Sequence, residues 1–229
     1  MLITIPAVLN QDQLQECRRE LMVVEWSDGR GSAGYLAQQV KRNLQLPDEH
    51  PLGRKLGEVI LRALHGNQLF TAVALPYKIL PPLFNCYQPG QTYGRHVDGA
   101  IRPVTGTPHR VRTDLSATLF LSDPSSYDGG ELVINDTFGE RIVKLAAGDM
   151  VLYPGTSVHH VRPVTQGTRL ASFFWIQSMV REDHKRTLLF ELDRAIQQVS
   201  TMTSANAAGG PATELSGVYH NLLRLWAEV

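Results

Sequence analysis

Net charge, long hydrophobic runs and cysteine are all scarce in this sequence. Its 22 Lys and Arg residues balance 22 Asp and Glu residues over 229 positions, so no overall field draws the chain to nucleic acid or to an anionic membrane. No apolar run approaches the ~20 residues of a membrane-spanning helix. The opening, MLITIPAVLNQDQ, has no basic residue and only a short apolar stretch, unlike a signal peptide. We therefore expect a cytoplasmic protein that binds neither nucleic acid nor membrane.

Several signatures of chemistry are missing too. The sequence has no Walker, C-x-x-C or G-x-S-x-G motif, which leaves kinase, zinc-ribbon and serine-hydrolase chemistry without support. The segment GRGSAG, residues 29–34, fits G-x-G-x-x-G, but no convincing strand precedes it and no acidic residue ends a second strand after it. We interpret it as a turn. Cys17 and Cys86 lie in apolar settings, which favours two buried free thiols over a disulfide.

Residues 1–180 show helical spacing of apolar residues first and short β-type runs afterwards. Near the N-terminus, Leu14, Cys17, Leu21 and Val24 recur at helical spacing, and GRKLGEVILRALHG, ending at Gly66, predicts another helix. From about 71 to 178, short β-type runs alternate with turns; they are FNCYQPG, LSATLFLS, GELVIN, ERIVKL, DMVLYP, HHVRPV and LASFFWIQS. No helical segment separates them, so the pattern predicts an antiparallel sandwich or barrel.

Helical spacing returns in residues 181–229, which we interpret as a C-terminal extension of a first domain, 1–180. Its apolar stripes are Leu189, Leu192, Ile196 and Val199, then Leu215, Val218, Leu222, Leu225 and Val229. Between them, TMTSANAAGGPA predicts a flexible connector. The second stripe is expected to pack on its own domain or within a homodimer. The fold class predicted is α+β, with a mainly β core between helical ends.

The stretch YGRHVDGA places His96 and Asp98 two positions apart. Side chains at i and i+2 of a strand project from one face, so this pair can share a cation. Alone, H-x-D is short and common, and a solvated strand edge is then the better explanation. Whether the sequence offers a third ligand distinguishes a metal site from a solvated strand edge.

The segment SVHHVRPV supplies that third ligand. Adjacent strand residues point to opposite faces, so only one of His159 and His160 can reach the same metal. His159 shares its face with Val161, whereas His160 shares its face with Arg162, so we expect His159 inside and His160 toward water. Two histidines and one carboxylate form the facial triad of non-haem Fe(II) oxygenases.

Arg169 begins the apolar run RLASFFWIQS ten residues after His159. An arginine there is costly to bury unless its guanidinium meets a carboxylate, and an exposed strand end is the alternative. Beside a three-ligand iron site it suits a dicarboxylic co-substrate, with one end on the metal and the other held by Arg169.

Residues 84 to 177 resemble the prolyl 4-hydroxylase type of Fe(II)/2-oxoglutarate dioxygenase, and the whole chain is similar to bacterial PKHD-type hydroxylases. The motifs that carry the resemblance are CYQPGQTYGRHVD, ATLFLSDPSSYDGGEL, AAGDMVLYPGTSVHHVRPVTQGTR and SFFWIQS. The resemblance implies a double-stranded β-helix, or jelly roll. It also implies that His96, Asp98 and His159 bind Fe(II), that Arg169 anchors 2-oxoglutarate, and that Tyr87 assists it.

The resemblance further implies a reaction that consumes 2-oxoglutarate and O2, releases succinate and CO2, and hydroxylates a small-molecule or peptidyl substrate. Peptidyl proline and a compound connected with iron acquisition are both admissible, and ascorbate is a plausible auxiliary. Two alternatives remain open: a cupin-like metalloenzyme that does not use 2-oxoglutarate, and a non-catalytic sensor of iron or 2-oxoglutarate.

The segment GAIRPVTGTPHRVRTD follows the H-x-D pair and is rich in basic residues. Arg102, Arg110 and Arg112 lie in it, with no acidic residue before Asp114. A solvated loop is the simpler interpretation. The alternative is that residues 99–113 form a mobile lid suited to an acidic or hydrogen-bonding substrate.

Overall fold

The computed structural model of the chain describes residues 1–136, 139–202 and 210–229. The helices are α1 Gln11–Val23, α2 Tyr35–Val40, α3 Pro51–His65, α4 Gln68–Ala74, α5 Asp183–Met202 and α6 Pro211–Trp226, with a 3-10 turn at Gly29–Ser32. The strands before the H-x-D pair are β1 Ile3–Ile5, β2 Ser27–Asp28, β3 Lys41–Arg42, β4 Leu44–Gln45, β5 Pro76–Ile79, β6 Leu83–Tyr87 and β7 Thr92–His96. The remaining strands are β8 Ile101–Pro103, β9 Arg110–Arg112, β10 Leu115–Phe120, β11 Tyr127–Gly129, β12 Leu132–Asp136, β13 Gly139–Val143, β14 Met150–Pro154, β15 His159–Val161, β16 Val164–Gly167 and β17 Arg169–Ser178.

Two antiparallel sheets form the jelly roll that the resemblance implied. The major sheet has the order β1-β14-β10-β17-β6-β4-β2, with β5 also paired to β17, and the minor sheet has the order β13-β12-β15-β7-β3. Apart from the β12–β13 hairpin and the β2–β4 pair, neighbours in these orders are distant in the chain, as expected where strands cross between two sheets. The prediction of an α+β fold with a mainly β core is confirmed.

Strand β10 shows how the major sheet separates two apolar cores. Leu115, Ala117 and Leu119 join a core with residues of α1, α3 and α4, whereas Phe120 joins a second core that includes residues of the minor sheet. Ser116 and Thr118 point to the same side as Phe120 and line a cavity between the sheets. This alternation follows from the period of two in a strand, and it places polar side chains inside the jelly roll.

The N-terminal helices form where helical spacing predicted them. In α1, Asn10 and Gln13 form a reciprocal capping box, and α3 begins at Pro51 and ends against Gly66. The interpretation of this whole region as helical was incomplete, because β1 to β4 join the two sheets. Strands of two or three residues are too short to show a periodicity.

The C-terminal helices α5 and α6 pack on each other and on the end of β17. Tyr219, Leu222, Leu223 and Trp226 lie against a cluster that contains Leu189. The predicted stripe on α6 is partly wrong, because Val218 is 50% and Leu225 75% exposed. The face of α6 that packs inward instead contains Tyr219, Leu223 and Trp226. These large side chains bury more apolar area than Val218 and Leu225 would.

Three further predictions concern the surface and the thiols. Cys17 and Cys86 are buried free thiols, as expected. Among the described residues, no helix is both long enough and apolar enough to cross a membrane. The predicted flexible connector falls mostly on residues 203–209, which lie outside the described parts of the chain.

Candidate active site

His96 and His159 are direct cross-strand partners in the β7–β15 ladder of the minor sheet. Their rings lie 4.2 Å apart between centroids. Asp98 lies two residues beyond the end of β7, so the strand argument for the H-x-D pair applies only up to His96. Its carboxylate nevertheless turns to the same side, where its Oδ2 is 3.8 Å from His159 Nε2.

The structure brings together the three residues that the sequence singled out as metal ligands. One potential ligand atom from each of His96, Asp98 and His159 lies within 4.8 Å of the others. His159 is buried, whereas His160 lies on the other face of β15, is half-buried, and does not line the cavity. The alternation that favoured His159 over His160 is thus present in the structure.

Backbone carbonyls orient both imidazole rings. The Nδ1 atom of His96 lies 2.8 Å from the carbonyl oxygen of Gly94, and Nδ1 of His159 lies 3.0 Å from that of Ser157. A carbonyl only accepts hydrogen bonds, so each Nδ1 carries a proton, which leaves Nε2 of each ring as the atom that can bind a metal. Ser116 Oγ donates to Asp98 Oδ2 at 2.6 Å. Such outer contacts typically fix metal ligands.

The protonation states also suit a cation. Burial, and then the neighbouring His159 ring, lower the pKa of His96 to about 4. Burial alone would raise the pKa of Asp98, but the His159 ring and the hydrogen bond from Ser116 outweigh it and hold that pKa below its ordinary value. At neutral pH His96 is therefore neutral and Asp98 ionised, the states in which both bind metal. Two imidazoles and one carboxylate on one side fit Fe(II) and leave coordination positions for other ligands.

Arg169 and Tyr87 form a second cross-strand pair, in the β6–β17 ladder, and both line the same cavity. Arg169 is 1% exposed. Its Nε and Nη1 atoms are buried without a hydrogen-bond partner, and no carboxylate of the described residues lies within ion-pair distance of it. The guanidinium instead lies 5.2 Å from the ring centroids of both Tyr87 and Phe120. An unpaired buried guanidinium is costly, so this arrangement is suited to an anion from outside.

Two glycines allow close packing around the site, one beside β7 and one beside Arg169. A Cβ on Gly94 would lie 2.7 Å from Cβ of Val40, so only glycine lets α2 pack closely on β7. Gly130 has a φ of +66°, and a Cβ there would lie 3.0 Å from Cδ of Arg169. The sequence alone indicates only a turn at Gly130, because its contact with Arg169 joins the β11–β12 turn to the start of β17, far along the chain.

Among the cavity-lining residues that sequence reasoning missed are Lys41, Ser116 and Trp175. Ser116 carries a usable signal, since it and Thr118 are polar positions alternating with apolar ones in LSATLF. Lys41 carries none, because it reaches the cavity through the pairing of β3 with β7.

The basic segment 99–113 is a hairpin of β8 and β9 rather than an irregular loop. Its three arginines have different surroundings. Arg102 lines the cavity, Arg110 is exposed, and Arg112 forms ion pairs with Asp114 and Glu228. One arginine of the three thus faces the candidate site.

Comparison with known proteins decides the family. Residues 82–177 match the model of the 2OG-Fe(II) oxygenase superfamily, and residues 183–228 match the PKHD-type hydroxylase C-terminal domain. A PKHD-type hydroxylase of Saccharophagus degradans is 56% identical over 100% of both chains. The chain belongs to the PKHD-type hydroxylases. The PKHD-type hydroxylase PiuC of Pseudomonas aeruginosa is 53% identical, again over 100% of both chains. The family implies Fe(II) as the cofactor and 2-oxoglutarate and O2 as co-substrates.

Solved structures support the fold of this hydroxylase. A prolyl-4-hydroxylase from Pseudomonas putida superposes with a TM-score of 0.51 at 21% identity, covering 77% of this chain and 92% of that one. HygX from Streptomyces hygroscopicus, solved with nickel, 2-oxoglutarate and hygromycin B, superposes with a TM-score of 0.51 at 17% identity, covering 77% and 82%. At these identities the likeness establishes the jelly roll alone.

Proposed function

We propose that this PKHD-type hydroxylase binds Fe(II) through His96, Asp98 and His159, anchors 2-oxoglutarate on Arg169, and hydroxylates a small-molecule or peptidyl substrate. The observation that carries the proposal is the buried guanidinium of Arg169, which has no carboxylate partner among the described residues and shares a cavity with the triad. A dicarboxylate that binds metal at one end and Arg169 at the other supplies the missing charge.

Each residue has a distinct task in this proposal. The carbonyls of Gly94 and Ser157 hold the imidazoles with Nε2 toward the metal, and Ser116 holds the Asp98 carboxylate. Arg169 receives the far carboxylate of 2-oxoglutarate. Tyr87 is 1% exposed and its pKa is raised to about 12 by burial, so its hydroxyl stays protonated and available as a hydrogen-bond donor.

When bound, Fe(II) would activate O2, with oxidative decarboxylation of 2-oxoglutarate to succinate and CO2, so that one oxygen atom of O2 enters succinate and the other enters a substrate C–H bond. The chain supplies geometry and a largely dry enclosure. Tyr153 and Leu132 are buried beside the triad, and Val161 is 6% exposed. Such an enclosure limits reaction of the oxidant with water.

Three finer predictions remain part of the proposal. We place the dioxygenase domain in residues 1–180 and a helical extension in 181–229, supported by the packing of α5 and α6 on each other. We retain peptidyl proline, or a small molecule connected with iron acquisition, as substrate candidates. Ascorbate as an auxiliary and a cytoplasmic location also remain predictions.

The decisive experiment titrates anaerobic, metal-free protein with Fe(II) and then with 2-oxoglutarate, and follows the visible charge-transfer band of the chelate. His159→Ala should abolish the band, whereas its neighbour His160→Ala should keep it, because His160 lies on the opposite face of β15. Iron binding without a band would favour a metalloenzyme that does not use 2-oxoglutarate. A band without succinate formation under air, with every candidate substrate tried, would favour a sensor.

A further inference from the structure

Lys41 and Arg102 form a pair of cations on the wall of the candidate active site, separate from Arg169. Both line the cavity that contains the triad. Lys41 Nζ donates to Ser32 Oγ at 2.7 Å, and Arg102 Nη2 lies 3.4 Å from the carbonyl oxygen of the same serine. The two side chains come from β3 and β8, so they are neighbours only in the folded chain.

Neutral groups surround both cations. Lys41 is 3% exposed, and its second hydrogen bond runs to Gln45 Oε1 at 2.8 Å. The guanidinium carbon of Arg102 lies 3.9 Å from the ring centroid of Trp175. No carboxylate in the described parts of the chain lies within ion-pair distance of either cation, and Asp48 and Asp98 act on them only from farther away.

The charge balance of the cavity is therefore positive. Its lining contains Lys41, Arg102 and Arg169 but a single carboxylate, Asp98, which the proposed metal would occupy. Burial first, and then the charge of Arg102, lower the pKa of Lys41 to about 8. Two adjacent cations in a partly desolvated wall repel each other, and an anion between them would relieve that repulsion.

This pair contacts a different stretch of β17 from the one that carries Arg169. Lys41 Nζ is 5.7 Å from the ring centroid of Phe173, and Arg102 stacks on Trp175. Phe173 and Trp175 lie on the same face of β17 as Arg169, four and six residues farther along. At ~3.3 Å per residue, these positions are about 13 and 20 Å from that of Arg169. Ser116, which holds Asp98, pairs directly with Trp175, so Arg102, which stacks on Trp175, lies beside the Asp98 end of the site.

We propose that the substrate of this hydroxylase carries a carboxylate, and that Lys41 and Arg102 bind it while Arg169 holds 2-oxoglutarate. The inference rests on the proposed function and names the substrate class of the same site. The rings of Tyr93, Phe173 and Trp175 line the cavity beside the two cations. They give the substrate an apolar surface next to its anionic group, so an acid with a flat or apolar body fits this wall.

The test uses benzoate and phenylacetate, each paired with its neutral amide, as probes. The full-length protein is loaded with Zn(II), which does not support turnover, and saturated with 2-oxoglutarate, so that Arg169 is occupied. Calorimetry should show each acid binding at least tenfold more tightly than its amide. Arg102→Gln should weaken acid binding at least tenfold without changing amide binding, and Lys41→Met should act in the same direction.

Arg110→Gln is the matched control, because Arg110 lies on the same hairpin but is exposed and outside the cavity. It should leave acid binding unchanged. If Lys41→Met does not fold, Arg102→Gln alone decides. Acids that bind no better than amides, or acid binding that survives in Arg102→Gln, would overturn the inference. So would a loss of 2-oxoglutarate affinity in Arg102→Gln as large as in Arg169→Met, since the pair would then serve the co-substrate. Failure of the wild type to take up 2-oxoglutarate during loading would instead contradict the proposed function itself.

Discussion

Arg169 and Tyr87 are opposite residues of two neighbouring strands, with the guanidinium carbon 5.2 Å from the centroid of the phenol ring. His96 and His159 have the same relationship in the minor sheet. Each sheet of the jelly roll thus contributes one cross-strand pair to a single cavity. Because register in a ladder is fixed by burial of one face, a slip of either strand by one residue would turn its member of the pair away from the site.

Arg169→Met should weaken 2-oxoglutarate binding about a hundredfold, or ~3 kcal/mol, since a buried charge-assisted contact is lost. The same change should not lower the free energy of unfolding of the ligand-free protein, because two unpartnered buried nitrogens disappear with the guanidinium. Anaerobic titration and urea unfolding measure the two quantities.

Arg186→Met is a matched control for the unfolding measurement. Arg186 is also 1% exposed, but its guanidinium donates to the carbonyl oxygens of Val180 and Arg181 and pairs with Asp183. Its loss should destabilise the protein by a few kcal/mol, roughly the effect of breaking a buried pair. Equal destabilisation by both changes would show that Arg169 has a protein partner in solution.

Ser116→Ala should weaken Fe(II) binding about tenfold or more, as loss of contacts to metal ligands typically does. The hydrogen bond from Ser116 helps to hold the pKa of Asp98 low, so its removal raises that pKa and lets protons compete better with metal. The pH at which half of the iron is released should therefore move upward in the variant. Iron titrations between pH 5 and 8 measure that midpoint.

Ser172→Ala is the control for this change. Ser172 is a fully buried strand serine whose hydroxyl donates to the carbonyl oxygen of Leu83 rather than to the triad. It should lose some stability but keep the iron midpoint. A midpoint that is unchanged in Ser116→Ala would contradict the role given to this hydroxyl.

The parts of the site that could be predicted from sequence are those that depend on strand alternation. The alternation of strand side chains was enough to prefer His159 over His160. A charged residue at the head of an apolar strand singled out Arg169 only in combination with the predicted iron ligands. Lys41 and Gly130 could not be found in this way, because their importance depends on strands that are distant in the chain. The prediction of which face of α6 packs inward failed for another reason. Leu and Val at helical spacing indicated one face, whereas in the folded protein Tyr219 and Trp226 pack inward.

Lys41 should make stability depend on pH in the alkaline range. Its pKa is lowered from 10.5 to about 8 in the folded protein, mainly by burial. Between pH 8 and pH 10.5, Lys41 is protonated in the unfolded chain but largely deprotonated in the folded protein. The free energy of unfolding therefore rises with pH in this range. In Lys41→Met this slope is absent. The wild type should therefore gain about 2 kcal/mol relative to the variant between pH 7 and pH 10.

Urea unfolding of both proteins at several pH values measures this difference, and tyrosine and cysteine titrations cancel because both chains contain them. Lys78→Met is the control, since Lys78 is an exposed lysine on β5. A wild-type advantage that stays constant across the range would mean that the Lys41 ammonium is well solvated in the folded protein.

Gly130→Ala should impair the anchor of 2-oxoglutarate without touching it directly. A Cβ at Gly130 would lie 3.0 Å from Cδ of Arg169 and 2.9 Å from Cγ2 of Val164, so the arginine has to move. Gly106→Ala is the matched control: its φ is +75°, close to the +66° of Gly130, but nothing lies within 4 Å of an added Cβ. Both variants bear the left-handed strain of about 1 kcal/mol. Gly130→Ala should lose a further 1–3 kcal/mol, roughly the effect of overpacking.

The two glycine variants separate backbone strain from displacement of Arg169. Anaerobic titration should give a 2-oxoglutarate affinity at least fivefold weaker in Gly130→Ala and unchanged in Gly106→Ala. The Fe(II) affinity should stay the same in both, because neither glycine lines the part of the cavity that contains the triad. If Gly130→Ala binds 2-oxoglutarate as the wild type does, the position of the guanidinium is less restricted than its tight surroundings imply.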